Sequence, residues 1–290
     1  MTLTTDFGHR DWYVAAVKGV VLSRVPEAQI VDICHEVPPG DVATASFLLQ
    51  AAAPNFPADT VHLAVVDPGV GTDRDILAVG AELPTEDVPR RQVFVAPDNG
   101  LLHPYLERGH VVTVDRADLF RDAPGHTFHG RDRFAPVAAA LLQGESLERL
   151  GDPADNPVLF SSPHPERTQQ CLRGTVRHVD HFGNLVTDLP AGWLESDAFE
   201  VAIAGHVVDL RVDTYRQIPT GRAAVLTGSL GTLELSLDGA DLADAWGVEP
   251  GTAVTVQLGP GSTRKSRTGF SPADGEQHDP VGVPHRQHSE

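Results

Sequence analysis

Residues 60–66, Thr-Val-His-Leu-Ala-Val-Val, form a nearly unbroken apolar run that stops at once in Asp-Pro-Gly-Val-Gly. A run of this length, rich in β-branched residues, reads as a strand buried on both faces. Such a strand needs cover on both sides, and the flanking sequence supplies it. From Trp12, apolar residues recur at Tyr13, Val14, Val17, Val20 and Val21, a helical stripe that stops before Pro26. Asp41 is placed to cap an alanine-rich helix running to about Ala53, and another helix is expected from near Asp132 to about Leu142. Further strands are expected at Met1–Thr5, at Gln29–Cys34 (read as buried), and near Ile76–Ala81, Gln92–Ala96 and Val111–Val114. Strand and helix signals in alternation predict an α/β unit, a mostly parallel sheet flanked by helices.

The pattern changes in the second half. Residues 201–212 read as a hairpin turning at Ala204-Gly205, two strands flank Gly228–Gly231, and 253–258 closes the series. Helix is expected only near Asp241–Trp246, so this unit is predicted to be a small β barrel or sandwich. The expected organisation is an α/β domain over 1–155, a linker over 156–171 rich in Pro, Asp and Ser, and a β barrel over 172–261. Residues 262–290 hold few apolar groups and are expected to be disordered.

Composition excludes some classes of function. The formal net charge of −18 repels phosphate backbones, which argues against nucleic acid and suits a cationic small molecule. No run reaches the roughly 18 apolar residues of a membrane helix, and the first residues lack a signal-peptide pattern, so no membrane partner is expected and the cytoplasm is the expected location. Cys34 and Cys171 match no zinc or redox spacing and are read as two buried thiols rather than a disulfide. His126 and His129, like Asp6 and His9, are three apart without further ligands, so no metal is expected. No GxGxxG, Walker or GxSxG pattern occurs.

Ligands of open parallel sheets lie beyond the carboxyl ends of the strands, so polar residues just after strands are the first candidates. Asp6 and Asp11 can hold a ribose diol or cap the next helix. Asp67 ends the buried strand, and Arg74, seven residues on, is within reach of it across a glycine loop. Asn99 is a ligand or a cap. His129, beside Gly130 at a helix entrance, is a general-base candidate or a surface histidine. Asp180, Phe182 and Asn184 bracket a glycine and offer a ring for adenine and an amide for its edge, or form a hairpin with a core phenylalanine.

Seven stretches in register carry a family resemblance: "TDFGHRDWYVAAVKGVV", "DICHEVPPGD", "VVDPGVGTDR", "APDNGLL", "TFHGRDRFAPVAA", "VDHFGNLVTD" and "GSLGTLELSL". Together they resemble the S-adenosyl-L-methionine hydroxide adenosyltransferases, relatives of the fluorinases and chlorinases. The resemblance implies an α/β domain, a β barrel, and a homotrimer with sites between neighbouring subunits. It implies hydrolysis of S-adenosyl-L-methionine to adenosine and methionine, with that molecule as substrate and no cofactor. Asp67, Arg74 and His129 would activate water and Asp6 would hold the ribose. Asp11, Asp180 and Ser229 would hold the methionine part, and Phe182 and Asn184 would serve the adenine side; Asn99 stands as a further substrate contact. Where halide-using relatives carry Tyr-Ser this chain has His129-Gly130, and Gly40 and Asp67 replace a tryptophan and a tyrosine; each points towards water. Gly228 and Leu230 depart from the usual surroundings of Ser229. Two roles for His129 stay open, a base that takes the water's proton or an electrostatic stabiliser of hydroxide. Halogenation and a non-catalytic sensor are the competing functions.

Overall fold

A computed structural model of the chain describes residues 1–84, 88–122, 125–160, 164–196 and 198–259. The tail expected to be disordered, 262–290, lies outside the described residues. The first half runs β1 (Thr2–Thr5), α1 (Tyr13–Arg24), β2 (Val31–Cys34), α2 (Val42–Ala52), β3 (Val61–Val65), β4 (Ile76–Leu83), β5 (Arg90–Pro97), α3 (His103–Leu106) and β6 (His110–Thr113). A π-helical turn over Gly130–Phe134 then leads into α4 (Ala135–Leu142).

These strands form one sheet in the order β2-β1-β3-β5-β4-β6. β1, β2, β3 and β5 pair in parallel, while β4 joins β5 and β6 antiparallel. β3 sits in the interior and is buried at every position. Its pleat sends Val61, Leu63 and Val65 into one core, with Val17 and Val21 of α1 and Val137 of α4. Ala64 and the following Val66 enter the other, with Ala45 and Leu49 of α2. The continuous apolar run is thus explained by two covered faces. β2, expected to be buried, is instead the edge strand, with Val31 and Asp32 exposed. Among the described residues only β1 pairs with it, and Lys18 of α1 reaches over to Asp32 at 2.6 Å.

The second half contains β7 (Glu166–Arg167), β8 (Cys171–Val179), β9 (Leu185–Pro190), β10 (Phe199–Ile203), β11 (His206–Val208), β12 (Ala223–Thr227), β13 (Thr232–Leu237), α5 (Leu242–Trp246) and β14 (Ala253–Leu258). The order is β11-β10-β14-β8-β9-β13-β12, antiparallel throughout, with β7 beside β8. The chain beyond β11 then meets β12: Val225 N–H donates to Leu210 O at 2.8 Å, and Val212 N–H to Val225 O at 3.0 Å. These bonds nearly close the sheet into a barrel around Leu172, Val201, Val225, Leu235 and Val256. Closure protects edges that would otherwise invite pairing with another chain. Asp41 caps α2 as expected, accepting from the Thr44 N–H at 2.9 Å. Cys34 and Cys171 are free thiols, half-buried rather than buried. Among the described residues no helix is long and apolar enough to cross a membrane.

Candidate active site

The parallel register Thr5↔Val65 brings the carboxyl ends of β1 and β3 side by side. Asp6 and Asp67 therefore leave the sheet together. Asp6 accepts a hydrogen bond from the Gly40 N–H at 2.9 Å. Partial burial pushes its pKa up; the Gly40 bond opposes this and the nearby Asp67 charge adds to it. Neither Asp6 nor Asp11 caps α1, whose N-terminus has no side-chain cap. Asp11 is exposed beside Trp12.

The loop after β3 folds back on itself, with the Val70 N–H donating to Asp67 O and the Thr72 hydroxyl to Gly69 O. This return delivers Arg74 onto Asp67. Its Nε donates to Oδ1 at 2.7 Å and its Nη2 to Oδ2, a two-point grip between side chains left only 10% and 5% exposed. The same Nη2 meets Nδ1 of His129 at 3.1 Å. His129 stands at the head of the π-helical turn rather than in a loop, and it is buried. The surface-histidine reading is thereby set aside.

A guanidinium can only donate, so Nδ1 of His129 is the acceptor, and a neutral ring then carries its proton on Nε2. Burial pushes the pKa of His129 down; the charges of Arg133 and Arg74 push the same way, with a smaller contribution from His126, against an upward pull from Asp67. The ring is neutral near pH 7, and its buried Nε2–H has no partner among the described residues. Asp67, Arg74 and His129 thus form one linked unit that ends in an N–H donor. Gly130 lies under Phe7: a Cβ there would stand 3.1 Å from the Phe7 ring.

Asn99, at the carboxyl end of β5, works on the backbone. Its amide donates to Val66 O at 2.9 Å, and its Oδ1 accepts from the Leu101 N–H at 3.2 Å. It braces the strand end that carries Asp67, but α3 begins later and is not capped by it.

The barrel contributes a second group. In the β8–β9 hairpin, Asp180 Oδ1 accepts from the backbone N–H groups of Phe182 and Asn184, both at 2.9 Å, and Oδ2 from the Asn184 amide at 2.8 Å. Gly183 has φ +81°, and a Cβ there would collide with Asp241, so the turn requires glycine. The result holds Phe182 outward, 74% exposed, which removes the core-phenylalanine reading. A cleft of about 660 Å³ is lined by Asp180, Phe182, Asn184, Tyr215, Ser236 and Asp241. A second, of about 400 Å³, lies between α2 and the barrel and includes Ser229, Asp180, Tyr215 and Glu234. Neither is lined by Asp67, Arg74 or His129.

Two side chains here escaped the sequence reading. Tyr215 donates to Glu234 Oε1 at 2.6 Å, and burial pushes the pKa of that carboxyl up, opposed by the Tyr215 bond and reinforced by Asp180. Glu234 alternates with core leucines and so reads as a solvent-facing residue. The Tyr215 hydroxyl and the Gly228 turn lie against its carboxyl.

Residues 1–151 match the N-terminal domain of the SAM hydroxide adenosyltransferases, and residues 174–255 match their C-terminal domain. The chain belongs to this family. It is 36% identical to a Salinispora tropica protein named (R)-S-adenosyl-L-methionine hydrolase, over 89% of this chain and 98% of that one. A Thermus thermophilus protein of the same name is 37% identical, over 87% of this chain and 97% of the relative. Fluorinases match less closely, that of Nocardia brasiliensis at 29% identity over 88% and 95%. Among solved structures, an uncharacterized conserved protein from Thermotoga maritima superposes with a TM-score of 0.80 at 34% identity, over 88% of this chain and 99% of that one. The two matched stretches contain the strand-end group around Asp67 and the barrel group around Asp180.

Proposed function

We propose that this protein hydrolyses S-adenosyl-L-methionine to adenosine and L-methionine. In this reaction an oxygen of water or hydroxide bonds to C5′ as the C5′–S bond breaks. The bonding pair passes to sulfur, which leaves as the neutral thioether of methionine, and a proton from attacking water is lost to solvent. A neutral leaving group needs no general acid, and the sulfonium carries its own activation, so the chemistry calls for no cofactor. The protein has to position the oxygen in line with the C–S bond and exclude competing water.

One observation carries this reading: the linked unit of Asp67, Arg74 and His129, with an N–H donor at its end. Of the two roles open to His129, the geometry favours the stabiliser. With Nδ1 taken by Arg74, the ring presents a proton to the nucleophile's oxygen rather than a lone pair. Asp6 is assigned to the ribose hydroxyls. Asp11, Asp180 and Ser229 are assigned to the methionine part, Phe182 and Asn184 to adenine, and Asn99 to support of the Asp67 strand end with a substrate contact alongside. The strand-end group and the barrel group line different places on one chain, and the exposed Phe182 fits a site completed by a neighbour. A homotrimer with sites between subunits accommodates this, and a cytoplasmic location goes with such a substrate.

The test is incubation of the purified protein with S-adenosyl-L-methionine, with and without chloride or fluoride, followed by chromatography and mass spectrometry. Adenosine and methionine in equal amounts, independent of halide, are the expected products. Asp67→Ala and His129→Ala are expected to lower kcat by about 10²–10³-fold, the usual cost of losing a preorganised donor. A 5′-halogenated adenosine would move the protein to the halide-using branch. Substrate bound but unreacted would make it a sensor.

A further inference from the structure

The irregular first turn of the helix after His129 has a cause in the sequence. Pro136 has no N–H, so the Asp132 carbonyl cannot receive the usual bond from four residues on, and the proline ring crowds that carbonyl. Asp132 O accepts from the Arg121 N–H instead, at 2.9 Å. The backbone widens into the π-helical turn over Gly130–Phe134, closed by the Ala135 N–H on Gly130 O. In a regular α-helix, residues five apart lie about 140° round the axis. The widened turn brings 129 and 134 back to one side, and both reach Arg74. His129 Nδ1 takes the hydrogen bond from Nη2, and the ring of fully buried Phe134 lies 5.0 Å from the guanidinium carbon.

We propose that Phe134 is a positioning residue for the reaction, acting through Arg74. Asp67 grips the guanidinium along its edge, and the negative face of the Phe134 ring holds it from the side. With both in place, Nη2 has one hydrogen for Asp67 and one for His129. His129 is then kept as the Nε2–H tautomer that faces the nucleophile. An apolar side chain of similar volume would fill the space but would not fix the plane of the guanidinium. The turn imposed by Pro136 is what allows one short segment to supply both partners of Arg74. This inference rests on the reading of Asp67, Arg74 and His129 as the water-activating unit.

The experiment compares Phe134→Leu with a variant carrying pentafluorophenylalanine at 134, nearly the same shape but with the charge pattern of the ring face reversed. Both are expected to lower kcat by about tenfold with KM changed by less than about twofold. Both should also move the acid limb of the kcat–pH profile upward, because His129 loses a positive neighbour held at Nδ1. Nitrogen NMR of labelled His129 should pass from a single Nε2–H tautomer to a mixture. A purely structural Phe134 predicts lower thermal stability with kcat, the pH profile and the tautomer unchanged in the fluorinated variant, and that result would overturn the proposal. If Phe134→Leu does not fold, the fluorinated variant decides. Arg74→Ala and His129→Ala separate the two levels: wild-type turnover in these would sink the underlying reading. Their loss of turnover alongside wild-type behaviour of the fluorinated variant would remove Phe134 alone.

Discussion

At the scale of single residues, two buried histidines share one tautomer and put it to different ends. His62 takes a hydrogen bond from the Thr2 hydroxyl at Nδ1 (2.7 Å) and gives one from Nε2 to Gln92 Oε1 (2.9 Å), with Phe94 stacked on the ring at 4.8 Å. Its polar atoms are all matched, and burial pushes its pKa down to about 4. The unfolded chain takes up this proton near the ordinary value of about 6.5, while the fold refuses it until about 4. Stability is therefore complete above pH 6.5 and falls as the pH drops from there to 4, by about 3 kcal/mol. Denaturant titrations of the wild type and His62→Gln should show a flatter pH dependence over that window in the variant, whatever its stability at neutral pH. His129 shifts in the same direction but leaves its Nε2–H unmatched among the described residues. The acid limb of kcat is expected below about 6.5. A limb above that value would mean that the site does not hold the ring below its ordinary pKa, and the Arg74 contact at Nδ1 would have to be abandoned.

At the scale of elements, local sequence signals worked where they depended on neighbours in the chain. The hairpin of β10 and β11 turns at Ala204-Gly205 as read, with Ile203 opposite His206. Both turn residues have positive φ, +48° and +82°. That is the primed two-residue geometry, in which Asn or Asp before Gly is preferred over alanine. Ala204→Asn should raise stability by about 0.5–1 kcal/mol by relieving the left-handed alanine, measurable as a higher denaturation midpoint at unchanged slope. The cap of α2 is equally local: Asp41 accepts both the N–H and the hydroxyl of Thr44. Asp41→Ala should cost about 1 kcal/mol. Direction and edge position were not local. Nothing in Ile76–Leu83 shows that β4 runs antiparallel between β5 and β6, and the pattern of Val31–Cys34 could not show that β2 has a partner on one side only.

At the scale of the whole molecule, the proposed site needs both the strand ends of the sheet and the β8–β9 hairpin of the barrel. If each site draws these from neighbouring subunits, a heterologous ring follows, and two inactive variants can restore each other. Asp67→Ala and Phe182→Ala proteins, unfolded and refolded together in equal amounts, should regain about one quarter of wild-type activity. No recovery in mixed assemblies would place each site within one chain. Sedimentation at three times the chain's mass would support the ring itself.

The sequence by itself determined the two-sided burial of β3, the α2 cap, the shift from α/β to barrel, and the segments bearing Asp6, Asp67, Arg74 and His129. These follow from periodicity and turn chemistry, which register contacts between residues close in the chain. Only the tertiary structure decided that Arg74 joins Asp67 to His129 Nδ1, that Phe134 lies against that guanidinium, that Glu234 is buried beneath Tyr215, and that Phe182 faces outward. The first three depend on groups that long-range packing or a widened helical turn brings together, and the turn that holds Phe182 outward packs its Gly183 against Asp241. A period of 2 or 3.6 gives the face on which a side chain stands; what stands opposite is set by the packing of the whole chain.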